Sequence, residues 1–144
     1  MATKVSGVLR HKGHRVVTVA PDQTVESVAK TLTVNRIGAA PVIDDEGRLV
    51  GIISERDIVR ALSENGASAL TLPARRLMTR EVTTCAPEDP LVELMGVMTN
   101  QRIRHLPVVV GGALLGIVSI GDVVKQRLDE VEFEVEELRR YICS

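Results

Sequence analysis

Gly51-Ile52-Ile53-Ser54-Glu55-Arg56-Asp57 and Gly116-Ile117-Val118-Ser119-Ile120-Gly121-Asp122 follow one pattern of Gly, two aliphatics, Ser, two variable residues and Asp. The aliphatics read as the end of a buried strand. Ser with Asp three residues on, just ahead of Ile58-Val59 or Val123-Val124, reads as the first turn of a helix. Each copy is therefore a strand-to-helix corner. The first amide N–H groups of such a helix lack internal partners and its dipole is positive there, so an anion or a hydroxyl-rich ligand is favoured. A carboxylate at the third helical position accepts two hydroxyl protons side by side, which suits the vicinal hydroxyls of a ribose. Ser-x-x-Asp is equally the signature of a capping box, in which both side chains satisfy the helix's own donors and bind nothing.

Residues 15–20 (Arg-Val-Val-Thr-Val-Ala) are short and β-branched and end at Pro21-Asp22, which predicts a strand. Val25, Val28, Ala29 and Leu32 give one apolar helical face. Pro41-Val42-Ile43 and Leu49 to Ile53 read as strands joined by the turn Asp44-Asp45-Glu46-Gly47, and the helix after Ser54 runs to about Asn65, with Gly66 as its stop. The unit then returns. Thr84, Ala86 and Pro87 follow Thr18, Ala20 and Pro21 by 66 residues, as Arg102-Ile103 and Pro107-Val108 follow Arg36-Ile37 and Pro41-Val42. A shorter turn at Gly111-Gly112 reduces the offset to 65 for Gly116, Ile117, Ser119 and Asp122. Leu91, Leu94, Met95 and Met98 keep the helical face, with Asp89 expected as cap and Pro90 in the first turn.

This internal repeat is the strongest signal in the chain. It divides the sequence into a first repeat with its N-terminal segment (1–66), a joint (67–80), a second repeat (81–125) and a tail (126–144). Leu72 to Met78 is expected to form a short helical turn within the joint. Neither half has comfortable apolar area alone, so the fold class expected is mixed α+β, with two β-α-β-β-α units packed across a pseudo-twofold axis. In the tail, Val124, Leu128, Val131, Val135, Leu138 and Ile142 step by fours and threes, a heptad seam that either pairs with another subunit or folds back on its own domain.

Hydrophobic residues are 44%, charged residues 26% and the net charge −1, a balance that argues against a nucleic-acid protein. Phe133 and Tyr141, the only aromatics, both lie in the tail, so there is no platform for stacking bases and any bound purine must lie between aliphatic side chains. Met1 to Arg15 is polar and basic, unlike a secretory signal, and no apolar run reaches membrane-spanning length, so a cytoplasmic protein is expected. Cys85 and Cys143 lack metal spacing and are expected as free thiols, and His11, His14 and His105 have no partners at ligand spacing, so no metal site is expected. No nucleophile has an attendant base, which predicts a protein without catalysis of its own.

With both repeats in view the chain resembles a pair of CBS domains, the module named after cystathionine β-synthase and also called a Bateman module. The likeness rests on Thr18 to Pro21, Arg36 to Val42 and Gly51 to Asp57, then Thr84 to Pro87, Arg102 to Val108 and Gly116 to Asp122. More closely, the chain is similar to small stand-alone bacterial CBS-pair proteins that end in a charged helix. The resemblance implies two clefts at the pseudo-twofold that take adenosine compounds such as AMP, ADP, ATP, NAD(H) or S-adenosylmethionine. It implies that Asp57 with Ser54 and Asp122 with Ser119 hold ribose and phosphate. Main chain at Ile52, Ile117, Gly38 and Ala39 would then face the adenine, Arg104 and His105 would meet phosphate, and Thr84 would belong to the same set.

The halves differ where the first has Gly38-Ala39 and the second Arg104-His105, so one strong site or two unequal ones are expected, with Asp122 the stronger. Arg56 is a candidate cation for the first cleft and Lys12, within His11-Lys12-Gly13-His14-Arg15, a candidate phosphate clamp. Arg75 and Arg76 are expected as a solvated pair. The implied protein is a regulatory sensor that needs no cofactor beyond the adenine nucleotide it binds. Its partners would be a second copy and an unknown protein target, with no nucleic acid and no membrane. The alternative is an interaction adaptor whose clefts are vestigial.

Overall fold

Two antiparallel hairpins carry the two corners. In a computed structural model that describes residues 3–12 and 16–143, β1 (Ala39–Ile43) pairs with β2 (Leu49–Ser54) and β3 (His105–Val110) with β4 (Ala113–Ser119). Register sets Ala40 opposite Ile53 and Leu106 opposite Val118, so alternate residues of each hairpin face a core and are buried. The tips differ as their sequences require. Asp44 Oδ1 accepts from the N–H of Glu46 and of Arg48 at 2.9 Å each, while Gly111 and Gly112 have φ of 59° and 85°, the two-residue turn that glycine makes without strain.

Helices α2 (Val25–Asn35) and α3 (Glu55–Asn65) complete the first half, and α4 (Leu91–Gln101) and α5 (Ile120–Cys143) the second. The strand expected over 15–20 and its counterpart each shrink to one bridged residue, Val19 beside Val42 and Cys85 beside Val108, both parallel. Val19 N donates to Pro41 O at 3.0 Å, and Cys85 N to Pro107 O at 2.9 Å. Two residues further on stand Pro21 and Pro87, which have no N–H to extend the ladder. The cap expected at Asp89 also differs. Pro90 occupies the N-cap of α4 and Asp89 Oδ2 turns back to accept from Ala86 N at 2.8 Å.

The first N–H of α4, on Leu91, donates instead to Thr3 O at 3.0 Å, just as Val25 N in α2 donates to Leu72 O at 2.8 Å. These bonds belong to a larger exchange. α1 (Val5–Lys12) precedes the first repeat but seals the second: Val5, Val8 and Leu9 are buried with Leu91, Leu94, Met98, Leu106, Val108 and Val118. The joint, including the expected short helical turn at Ala74–Arg76, seals the first core through Ala74, Leu72, Leu77 and Met78. Two close approaches mark the seals. A β-carbon at Gly116 would lie 2.8 Å from Leu9, and one at Gly51 would lie 2.7 Å from Met78 Sδ and 2.9 Å from Thr79 O. The halves touch directly at the hairpin ends, where Leu49 N donates to Gly112 O at 3.2 Å.

α5 runs unbroken through residues 125 and 126, so the last helix of the second repeat and the tail are one element of 24 residues, about 36 Å long. Among the described residues no helix is long and apolar enough to cross a membrane. Both cysteines are free, Cys85 buried and Cys143 exposed. Burial, and secondarily the charge of Asp89, pushes the Cys85 thiol up from 9.0 to about 12. A thiol reagent at pH 8 is therefore expected to label Cys143 at once and Cys85 only after unfolding. The unfolded chain releases the Cys85 proton near pH 9 while the folded chain retains it, so this thiol's contribution to stability is complete below pH 9. It declines from there towards pH 12 by up to about 1.4 kcal/mol per pH unit, which chemical denaturation at stepped pH measures.

Candidate functional site

At the first corner Ser54 leaves the strand in extended backbone, φ −122° and ψ 164°, and its Oγ accepts from Asp57 N at 3.2 Å. In return Asp57 Oδ2 accepts from Ser54 N at 2.9 Å and from the Ser54 hydroxyl at 3.0 Å. At the second corner Asp122 N donates to Ser119 Oγ at 3.1 Å and Ser119 N to Asp122 Oδ2 at 2.9 Å. Both motifs are thus closed capping boxes, and both carboxylates do serve the helix ends. The box engages Oδ2 in each. Asp57 Oδ1 points to the Arg60 guanidinium at 3.9 Å, and the side chain keeps 13% of its surface exposed. A carboxylate has about four lone-pair directions, so capping a helix leaves it able to accept further hydrogen bonds.

Strand pairing assembles the neighbours. Ala39 lies opposite Ser54 and Gly38 O accepts from Glu55 N at 2.9 Å; His105 lies opposite Ser119 and Arg104 O accepts from Ile120 N at 2.8 Å. Gly38, Ala39, Ser54 and Asp57 therefore meet at one corner, and Arg104, His105, Ser119 and Asp122 at the other. Arg56 is exposed in the first turn of α3, and Thr84 is exposed just ahead of Cys85. Ile52 stands apart from expectation. Its N–H donates to Thr79 O at 3.0 Å and its carbonyl accepts from Thr79 N at 2.8 Å. Its main chain is engaged by the joint and its side chain is half-buried. Its counterpart Ile117 pairs with Pro107. The Lys12 side chain, Gly13, His14 and Arg15 lie outside the described residues. The backbone of Lys12 ends α1, against the second half.

Each motif aspartate also lines a groove between its own helix and the segment that seals its half. In the first, of about 240 Å³, Asp57, Arg60 and Glu64 face Leu72, Arg76 and Leu77. In the second, of about 320 Å³, Asp122, Lys125 and Asp129 face Val8 and His11. Arg60 and Glu64 precede Lys125 and Asp129 by the same 65 residues that separate the aspartates. Each groove therefore sets one cation between two carboxylates along a helix face. Sequence reasoning singled out neither these cations nor Arg76 as groove residues; the constant offset, carried one turn past Asp57 and Asp122, is the signal that finds Arg60 and Lys125. Arg75, the other half of the expected solvated pair, is bound to Asp22. Among the described residues no cluster of His, Cys, Asp or Glu is placed to hold a metal ion.

Comparison with known proteins accounts for the doubled architecture. The sequence profile of the CBS domain matches residues 6–64 and 74–129. The chain is 34% identical over 149 residues to the CBS domain-containing protein CBSX3, mitochondrial, of Arabidopsis thaliana, covering 98% of this chain and 72% of that protein. It superposes on the crystal structure of a CBS-domain containing protein from Agrobacterium tumefaciens with a TM-score of 0.82 at 45% identity, covering 88% of this chain and 95% of the other. It also superposes, with a TM-score of 0.75 at 26% identity, on the CBS domain pair of protein MJ0100 in complex with 5′-methylthioadenosine and S-adenosyl-L-methionine, covering 90% and 99% of the two chains. Two hairpins, each closed by a helix and each sealed by the segment that leads into the other, are the two halves of a tandem pair, and the chain belongs to the CBS domain family.

Proposed function

We propose that this CBS pair is a regulatory module that binds adenosine-containing nucleotides (AMP, ADP, ATP or NAD(H)) and catalyses nothing itself. The observation that carries the reading is the duplicated aspartate, which caps its helix through Oδ2 while lining a groove that also holds a cation, Arg60 or Lys125. Vicinal ribose hydroxyls donate to such a carboxylate, and the adjacent cation meets phosphate. The bound compounds of the MJ0100 pair share the adenosine moiety, which supports the ligand class. Small-molecule pockets span about 300–1,000 Å³, and the grooves, of about 240 and 320 Å³, lie just below and at the lower end of that range. The second site, with Arg104 and His105 at its corner and the larger of the two grooves on the other side of Asp122, is the stronger.

Occupancy changes the angle between the halves, and α5 passes that change to a target protein. The working unit is a cytoplasmic homodimer with no cofactor beyond the nucleotide. Calorimetric titration with AMP, ATP and NADH tests the reading: heat is expected with at least one, and none with any of them overturns it. The chain has no Trp and a single Tyr, so a co-purified adenine nucleotide would dominate its absorbance near 260 nm. The closed capping boxes favour a second reading, an adaptor with vestigial clefts, in which the same aspartates only stabilise helices.

A further inference from the structure

We propose that α5 pairs with α5 of a second copy of this chain as a parallel, in-register coiled coil. The inference rests on the homodimer in the reading above and gives that dimer a surface and an orientation. Val124, Leu128, Val131, Val135, Leu138 and Ile142 are 42%, 58%, 45%, 40%, 61% and 77% exposed. The chain's own body takes a different face of the helix. Val123 is buried in the second core, Gln126 reaches the Thr3 hydroxyl at 3.5 Å, and Arg127 pairs with Glu130 along that side. At 3.6 residues per turn this face lies about 100° round from the seam. From residue 131 to 143 every residue is exposed, so the narrow apolar stripe finds no cover among the described residues of its own chain.

Flanking charges choose the occupant and its direction. With Leu128, Val135 and Ile142 at a and Val124, Val131 and Leu138 at d, the g positions are Arg127, Glu134 and Tyr141 and the e positions Lys125, Glu132 and Arg139. In a parallel pair each g residue meets the e residue five further along the other helix. Glu134 then faces the partner's Arg139, twice by symmetry, while Arg127, already paired with Glu130 in its own helix, borders the partner's Glu132.

A fully overlapped antiparallel pair sets e against e and g against g. Lys125 would face the partner's Arg139, Glu132 the partner's Glu132, and Glu134 the partner's Glu134, all like charges. Sliding that pair by one heptad restores opposite charges but uncovers either Leu138 with Ile142 or Val124 with Leu128. Only the parallel arrangement satisfies the charges and covers the whole stripe, and every complementary charge comes from this one sequence.

The test uses the full chain with Cys143→Ser. Ile142→Cys in this background is expected to oxidise to a covalent dimer, because residue 142 meets its own copy only in the parallel register. Glu134→Arg and Arg139→Glu are each expected to weaken the dimer roughly tenfold by sedimentation equilibrium, and the double reversal to restore it. A parent protein that sediments as a monomer at micromolar concentration overturns both the homodimer and the coil. A dimer that neither cross-links through Ile142→Cys nor responds to the charge reversals keeps the homodimer and overturns the parallel pairing.

Discussion

Asp122→Ala is expected to weaken adenylate binding by about 1–3 kcal/mol, roughly five- to 150-fold, because it removes a charged acceptor from the ribose hydroxyls. Asp57→Ala is expected to do the same at the first groove, with a smaller effect on total affinity if the second site is the stronger as proposed. Either change also opens a capping box, which costs about 1 kcal/mol of helix stability without any nucleotide present. Asp122→Asn separates the two roles. The amide oxygen still accepts from Ser119 N, so the unliganded protein should melt close to the parent, while two hydroxyls lose their anionic acceptor and affinity falls. Thermal unfolding with and without AMP, set beside calorimetry, reads both effects. An adaptor with empty clefts would show the melting change of Asp122→Ala and no change in binding heat for any variant.

Leu9→Ala is expected to destabilise the fold by about 2–5 kcal/mol, a large part of the stability of an ordinary domain, and to lower the melting temperature by roughly 10 °C. Leu9 is 1% exposed and sits over Gly116, so its loss leaves a cavity in the core of the second half although the residue precedes the first. The converse changes fill space that does not exist. Gly51→Ala should cost more than Gly116→Ala, because the added carbon at 51 meets the carbonyl of Thr79 at 2.9 Å as well as Met78, and backbone yields less readily than the end of a leucine. If Leu9→Ala melts like the parent, the packing of α1 on the second half is wrong.

Periodicity and offset made the corners, hairpins and helices legible, because each depends on neighbours within a few residues or on a motif written twice. Partner choice at a distance was harder to read. Val5 to Leu9 adjoin the first repeat in sequence yet seal the second; apolar spacing shows that a segment needs a core, not which core. A fainter echo was available, since Val8 and Leu9 precede Leu77 and Met78 by a constant 69 residues. The strand over 15–20 was overextended because β-branched residues report a tendency to pair, while the length of the ladder was decided by a proline two positions past Val19. At the candidate site, the doubled motif marked the two aspartates at the corners. Arg60 and Lys125 were not, because a cation on a helix face looks solvated until the facing segment is known.

The bond pair between Ile52 and Thr79 gives the exchanged seals a mechanical meaning. The backbone clamped beside the first corner is, a few residues later, the backbone that delivers Cys85 to the other hairpin. The two corners are thereby joined by one short stretch of backbone, from Thr79 to Cys85.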